Sequence, residues 1–150
     1  MFIPAIRSYK WIIMEAVDEI LKKNDLSITD SRKKILALFV NHNGALNHGV
    51  IEKTIGDGMD RVTIYRTLQV FVDKGLIHTI PTNDNSISYA LCKEHCEAGH
   101  HHDNHVHFVC SNCNNTTCMD DVTIPDVKLP KGFKPVHAEM VVTGICKDCG

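Results

Sequence analysis

Two matched hooks, Cys110-Ser-Asn-Cys113 and Cys146-Lys-Asp-Cys149, constrain this chain more than any other feature. Each C-x-x-C pair can turn two thiolates toward one ion, and two pairs complete the tetrahedron that zinc prefers. Any fold must therefore bring the end of the chain back beside Cys110. All seven cysteines lie in the last 59 residues, so Cys92, Cys96 and Cys118 are left over, beside a run of histidines between His95 and His107. One structural zinc uses four ligands, so the surplus predicts a second metal site, and function is expected there. The odd count and the neighbouring histidines favour thiolate ligands in a reducing cytoplasm over disulfides.

At 150 residues the chain can hold one ordinary domain or two small ones. Its 43% hydrophobic content and mixed charge argue for a folded protein over a disordered one. No apolar run reaches the roughly 18 residues that span a bilayer, and the first residues lack the cleavage pattern of a signal peptide. Residues 1–83 hold 11 Lys/Arg and 9 Asp/Glu, a balance of +2. Residues 84–150 hold 5 and 9, a balance of −4. A faintly basic front and an acidic, ligand-rich back predict two domains, at 1–83 and 84–150. A charge of +2 is too small to establish nucleic-acid binding by itself.

The first half reads as helices. Trp11, Ile13, Val17, Ile20 and Leu21 fall at helical spacing between Tyr9 and Lys23. Thr29 caps a helix over Ser31 to Asn41, a short helix follows Asn47, and a fourth runs from about Asp60 to Lys74, with Gly75 as its stop. Leu76 to Ile80 and Ser86 to Leu91 then alternate as two strands around a turn, so the wing runs to about residue 91. Three helices and a β-hairpin make the order of a winged helix-turn-helix. On the fourth helix Ile64, Thr67, Leu68, Phe71 and Val72 share one side, while Val62, Thr63, Arg66, Gln69 and Val70 share the other. That outer arc suits a major groove, where arginine reads guanine and methyl groups meet thymine, and it equally suits an ordinary amphipathic helix. In the second half His105 to Cys110 and Thr116 to Met119 read as a hairpin across the first hook. Val122 to Phe133, with Pro125, Pro130 and Gly132, reads as loop or short helix, and Glu139 to Ile145 as the strand that delivers Cys146.

With these elements in place, the chain resembles the ferric uptake regulator (Fur) superfamily of bacterial metal-responsive repressors, and most of all its zinc-uptake-type (Zur-like) members. The motifs are Asp60-Arg-Val-Thr-Ile-Tyr-Arg-Thr-Leu with Gly75-Leu-Ile, His105-x-His107-x-x-Cys110-x-x-Cys113, and Cys146-x-x-Cys149. The resemblance implies an α+β fold: an N-terminal winged helix-turn-helix followed by a small α/β dimerisation domain with a four-cysteine zinc site. It implies a homodimeric cytoplasmic repressor, not an enzyme, bound to a palindromic double-stranded operator, with neither a membrane nor a small-molecule substrate as partner. By the same resemblance Cys110, Cys113, Cys146 and Cys149 hold one structural zinc per chain. Tyr65 and Arg66 contact DNA, with Arg61, Thr63 and Gln69 beside them. His105 and His107 match two regulatory ligands, and Cys118 and Cys92 fall at or next to positions where the family carries acidic or thiol ligands. His95, Cys96 and His48 are reserve ligands, His48 because Ala45 stands where the family has an interdomain histidine. His100-His101-His102 reads as a metal-gathering loop or a solvated one, and His42, His78 and His137 as ordinary residues.

Cysteine in place of carboxylate at positions 92 and 118 tilts the second metal from iron toward zinc, because soft thiolate with imidazole suits zinc. Iron sensing and peroxide sensing remain alternatives on the same fold. A zinc metallohydrolase using His105 and His107 is a rival of another class, but the chain lacks a general-base motif such as H-E-x-x-H. A zinc-storage or protein-interaction module is the other rival, and metal-dependent DNA binding separates it.

Overall fold

The computed structural model describes residues 5–42, 44–82, 85–92, 105–136 and 138–150, with side chains from residue 12 onward. His95, Cys96 and the His100 to His102 run lie outside the described residues. The element order is α1 (Ala5–Lys23), α2 (Asp30–Asn41), β1 (Leu46–Asn47), α3 (His48–Ile55), α4 (Arg61–Asp73), β2 (Ile77–Pro81), β3 (Ile87–Leu91), β4 (His105–Cys110), β5 (Thr116–Thr123) and β6 (Met140–Gly144). Among the described residues, no helix is long and apolar enough to cross a membrane.

Helices α2, α3 and α4 each start where a side chain satisfies one of the orphaned backbone N–H groups. The Thr29 hydroxyl accepts from the Arg32 N–H to open α2, and the Asn47 side chain accepts from Val50 N–H to open α3. Asp60 opens α4, accepting from Thr63 N–H at 2.9 Å and from the Thr63 hydroxyl at 2.6 Å. At the other end of α4, Gly75 takes φ 71°. Its N–H reaches the Val72 carbonyl at 3.0 Å, and the next N–H, of Leu76, reaches Phe71 at 2.9 Å. That pair of bonds is the Schellman arrangement, which favours glycine because the turn needs a left-handed residue.

The four helices bury one continuous core. Val17 and Leu21 of α1, Ile35, Leu36 and Phe39 of α2, Ile51 of α3 and Ile64, Leu68 and Phe71 of α4 meet Ile77 and Tyr89 of the wing. Lys33 pairs with Asp18 at 3.0 Å to tie α2 to α1. The wing is a three-stranded antiparallel sheet in the order β1-β3-β2. Its two-residue strand β1 pairs Leu46 with Tyr89, an addition to the expected hairpin.

The C-terminal half is a second three-stranded sheet, ordered β5-β4-β6. The first hook forms the turn between β4 and β5, and β6 returns parallel to β4, setting Cys110 opposite Gly144. Strand β5 runs on to Thr123, four residues past the expected end, with a register break that pairs His105 with Thr123 but Val106 with Met119. Among the described residues, the stretch after it is loop as far as β6, with a turn at Lys131-Gly132. The two halves touch at Gly44 and Ala45: Ala45 N–H donates to the Thr116 carbonyl at 3.0 Å. A Cβ on Gly44 would stand 2.8 Å from that same oxygen, so this approach requires glycine.

Candidate metal centres and recognition helix

The parallel return of β6 does what the two hooks demand. Cys110, Cys113, Cys146 and Cys149 offer sulfur atoms that all lie within 4.8 Å of one another. Cys113 and Cys146 are 3.8 Å apart. A tetrahedron with Zn–S bonds of about 2.3 Å has edges of about 3.8 Å, so the spacing fits that ion. Backbone N–H groups also point at the cluster, with Cys146 N–H 3.4 Å from the Cys110 sulfur. Hydrogen bonds from the Cys113 and Cys146 backbones hold the Cys110 thiol down to about 6. Cys149 is pushed up to about 12: the Asn112 side chain pulls it down, but the thiols of Cys146, Cys113 and Cys110 and its own desolvation outweigh that pull. Cys110 is thus eased toward its thiolate while Cys113 and Cys149 are pushed the other way by neighbouring thiols, and a divalent cation at the centre would remove that conflict.

The second group is built on strands of both halves. His107 lies directly across the ladder from Cys118, and His105 shares the face of His107 two residues earlier. The fourth member comes from the wing: His78 of β2 joins His105, His107 and Cys118, with the four ligand atoms again within 4.8 Å of one another. His78 Nε2 stands 3.1 Å from His107 Nε2 and 3.8 Å from the Cys118 sulfur. Ring nitrogens that close need a proton or a cation between them. Zinc bound to imidazole at about 2.0–2.1 Å and to thiolate at about 2.3 Å gives edges of about 3.3–3.7 Å, so these donors fit it. His78 and His107 are buried, at 4% and 3% exposure. A cavity of about 240 Å³, lined in part by Phe39, Leu91 and Cys118, opens beside the group.

His78 is the residue that sequence reasoning set aside as ordinary. Its place depends on the wing standing against β4, which no local pattern encodes. Cys92, expected as a ligand, lies on the far side of His78, its sulfur 3.4 Å from Nδ1, and is not one of the four. His48 does not join them either: its Nδ1 is 3.1 Å from a Glu52 oxygen one turn along α3.

On α4 Ile64, Thr67, Leu68 and Phe71 of the expected inner face are buried against the core, while Val72 is only partly buried and Val70, expected on the outer arc, packs against the core as well. Tyr65 and Arg66 are exposed, as is Val62. The other three expected contacts are engaged within the chain. Arg61 grips Glu52 with two hydrogen bonds, Nε at 2.6 Å and Nη2 at 3.1 Å. Arg61 in turn holds the Glu52 carboxyl below its usual range, mainly through that hydrogen bond. Thr63 serves the Asp60 cap, and Gln69 donates to Asp73 at 2.9 Å.

A winged helix-turn-helix joined to a sheet, with a four-cysteine group on the sheet and a three-histidine, one-cysteine group shared between the two, is the arrangement of a metal-responsive DNA-binding regulator. Comparison with known proteins narrows that class. Residues 23–143 match the ferric uptake regulator family. The ferric uptake regulation proteins of Staphylococcus aureus and Staphylococcus epidermidis are each 32% identical over 135 residues, 87% of this chain and 93% and 91% of theirs. The chain belongs to the ferric uptake regulator family, whose members are transcriptional regulators and not enzymes. Solved structures agree in fold. A zinc uptake regulator in complex with zinc and DNA superimposes with a TM-score of 0.61 at 18% identity, covering 93% of each chain. The Helicobacter pylori ferric uptake regulator gives 0.56 at 20%, covering 91% of each.

Proposed function

We propose that this protein is a zinc-responsive, homodimeric repressor of metal-homeostasis genes, acting in the cytoplasm on a palindromic operator. The observation that carries the reading is the ligand group shared between the wing and the C-terminal sheet. His78 belongs to the DNA-binding half, and His105, His107 and Cys118 belong to the other. When bound, the cation supplies a cross-link between them. His78 then fixes β2, and through it α4, against β4 and β5. Among the orientations open to the winged helix this selects one, in which Tyr65 and Arg66 of the two protomers face successive major grooves about 34–36 Å apart. By reciprocity the operator tightens metal binding by the same factor. Cys110, Cys113, Cys146 and Cys149 hold a structural zinc with a separate task, closing the C-terminal sheet.

Zinc is favoured over iron by the donor set, three imidazoles and one thiolate without a carboxylate among the four. The 32%-identical relatives are named for ferric uptake, so iron is the second reading. The test is to select duplexes from a random pool with and without zinc, iron(II) or manganese(II). Zinc should enrich a palindrome, and His107→Ala should abolish that enrichment while keeping a folded dimer with one zinc per chain. Enrichment by iron(II) but not zinc would replace the metal, and enrichment independent of any metal would remove the regulatory reading.

A further inference from the structure

We infer that Ile80 is a positioning residue for the second metal group: packed against the C-terminal sheet, it sets the separation across which His78 meets His107 and Cys118. The inference rests on the reading of that group as a metal site shared between the two halves, and adds a device within it.

Strand β2 alternates, and its two faces have different covers. Ile77 packs into the helical core, and Thr79, paired with the core residue Tyr89, shares its face. The opposite face carries His78 and Ile80, with Ala90 and Ser88 across the ladder from them. All four are buried, Ile80 completely at 0% exposure. Yet neither Ile80 nor Ala90 belongs to the helical core. The cover of this face is the other half of the molecule, because His78 on it stands 3.1 Å from His107. On β4 the next side chain past His107 on the same face is Val109, 7% exposed and likewise outside the helical core. Ile80 and Val109 thus stand one step along their strands from the two histidines. The far ends agree in register as well: Ser88, the ladder partner of Ile80, lines the same hollow as Val109.

The seam is therefore sheet against sheet. A cavity of about 240 Å³ lies on the side of Ala90 and Cys118, and a polar hollow of about 270 Å³ lies beyond Ser88 and Thr143. The apolar strip between them is narrow, so a single large side chain carries much of it. Isoleucine is branched at Cβ and has few rotamers, which makes it a stiff spacer. Parting the sheets returns its apolar surface to water, so docking of wing on sheet is favoured before any cation binds. A cation that needs both halves binds in proportion to the fraction of molecules already docked. Ile80 thereby raises metal affinity without offering a ligand atom.

The test measures zinc affinity of the second group in full-length protein without DNA, by competition with a chelator, while the four-cysteine site stays filled. Ile80→Ala should weaken that affinity about 30-fold, and Ile80→Val only about threefold, following the volume removed. Both variants should keep one zinc per chain and the amide protection of α2 and α4. Val109→Ala should repeat the loss from the other side of the seam. The double variant should lose less than the product of the two single losses, because each removes the same contact. In operator binding, Ile80→Ala should raise the zinc concentration at half-saturation by the same factor and leave the affinity at saturating zinc unchanged. Unchanged second-group affinity in Ile80→Ala overturns the inference, as does a fully multiplicative loss in the double variant. A loss shared equally by the four-cysteine zinc makes Ile80 a general structural residue and overturns it too. If the zinc affinities behave as stated but no duplex binding depends on zinc, the positioning role stands and the repressor reading falls. A wild type that holds no second zinc removes the site and the inference together.

Discussion

Arg61 and Arg66 sit on the same exposed stretch of α4, and their surroundings divide their tasks. Arg61 spends two of its five N–H donors on Glu52, joining α4 to α3, and the pair is close to neutral as seen by an approaching phosphate. Glu52 also faces His48, so a single carboxylate organises the junction between α3 and α4. Among the described residues Arg66 makes no ion pair, and its guanidinium can meet a base edge without first breaking an internal contact. Arg66→Ala is therefore expected to cost about 1–3 kcal/mol in operator binding and to relax base preference at one position. Arg61→Ala is expected to weaken all sequences by a smaller, uniform factor and to leave base preference alone. Competition binding against single-base operator variants measures both. Equal loss of preference in the two variants would mean that the Glu52 bridge opens on DNA.

At the scale of the element, α4 is held at its start by charge as well as by geometry. The Asp60 carboxylate accepts from Thr63 and sits at the positive end of the helix dipole. Its carboxyl lies below the usual range, first because of the Thr63 hydroxyl and then the Thr63 N–H. A carboxyl lowered by folding contributes stability that is full above its unfolded value, about 3.9, and is lost as pH falls through the lower folded value. Asp60→Asn keeps an acceptor but has no charge to lose. The wild type should melt above this variant near pH 6, and the gap should shrink once the pH falls below about 3.9. A gap of constant size across that range would assign the cap to geometry alone. Caps of this kind were readable in the sequence because Thr29, Asn47 and Asp60 act on backbone three residues away. Strand β1 was not readable: two residues carry no period, and only the presence of β3 makes Leu46 and Asn47 a strand. The extension of β5 past Met119 likewise follows from β4 and its register break. His78 lay between these cases. The hairpin turn fixes which residues face each other, so Cys92 could have been placed on the same face as His78. Nothing local placed that face against His107.

Across the whole molecule the two halves are stabilised by different means. The N-terminal half owns the buried cluster from Val17 to Tyr89. In the C-terminal sheet the buried apolar side chains, among the described residues, are Val106, Val109 and Cys110. Val122, Val127, Leu129, Phe133, Val142 and Ile145 remain exposed, Phe133 at 69%. Three buried side chains leave a sheet of this size little hydrophobic support of its own. The four cysteines supply the other constraint. They close the sheet where β4 turns and β6 ends, so the energy of metal binding there, about 10–16 kcal/mol in small zinc domains, is folding energy for this half. The pattern of cysteines made that site legible from sequence, but not how far the sheet depends on it, since that follows from burial. Removing zinc with a strong chelator should therefore unfold the molecule in two stages. Amides of β4 and β6 should lose hydrogen-exchange protection first and the dimer should dissociate, while α2 and α4 stay protected around Phe39, Leu68 and Phe71. Emptying the second group alone, as in His107→Ala, should leave both sets protected. Simultaneous loss of protection in helices and strands on chelation would make the protein one cooperative unit and would remove the division of labour between the two metal groups.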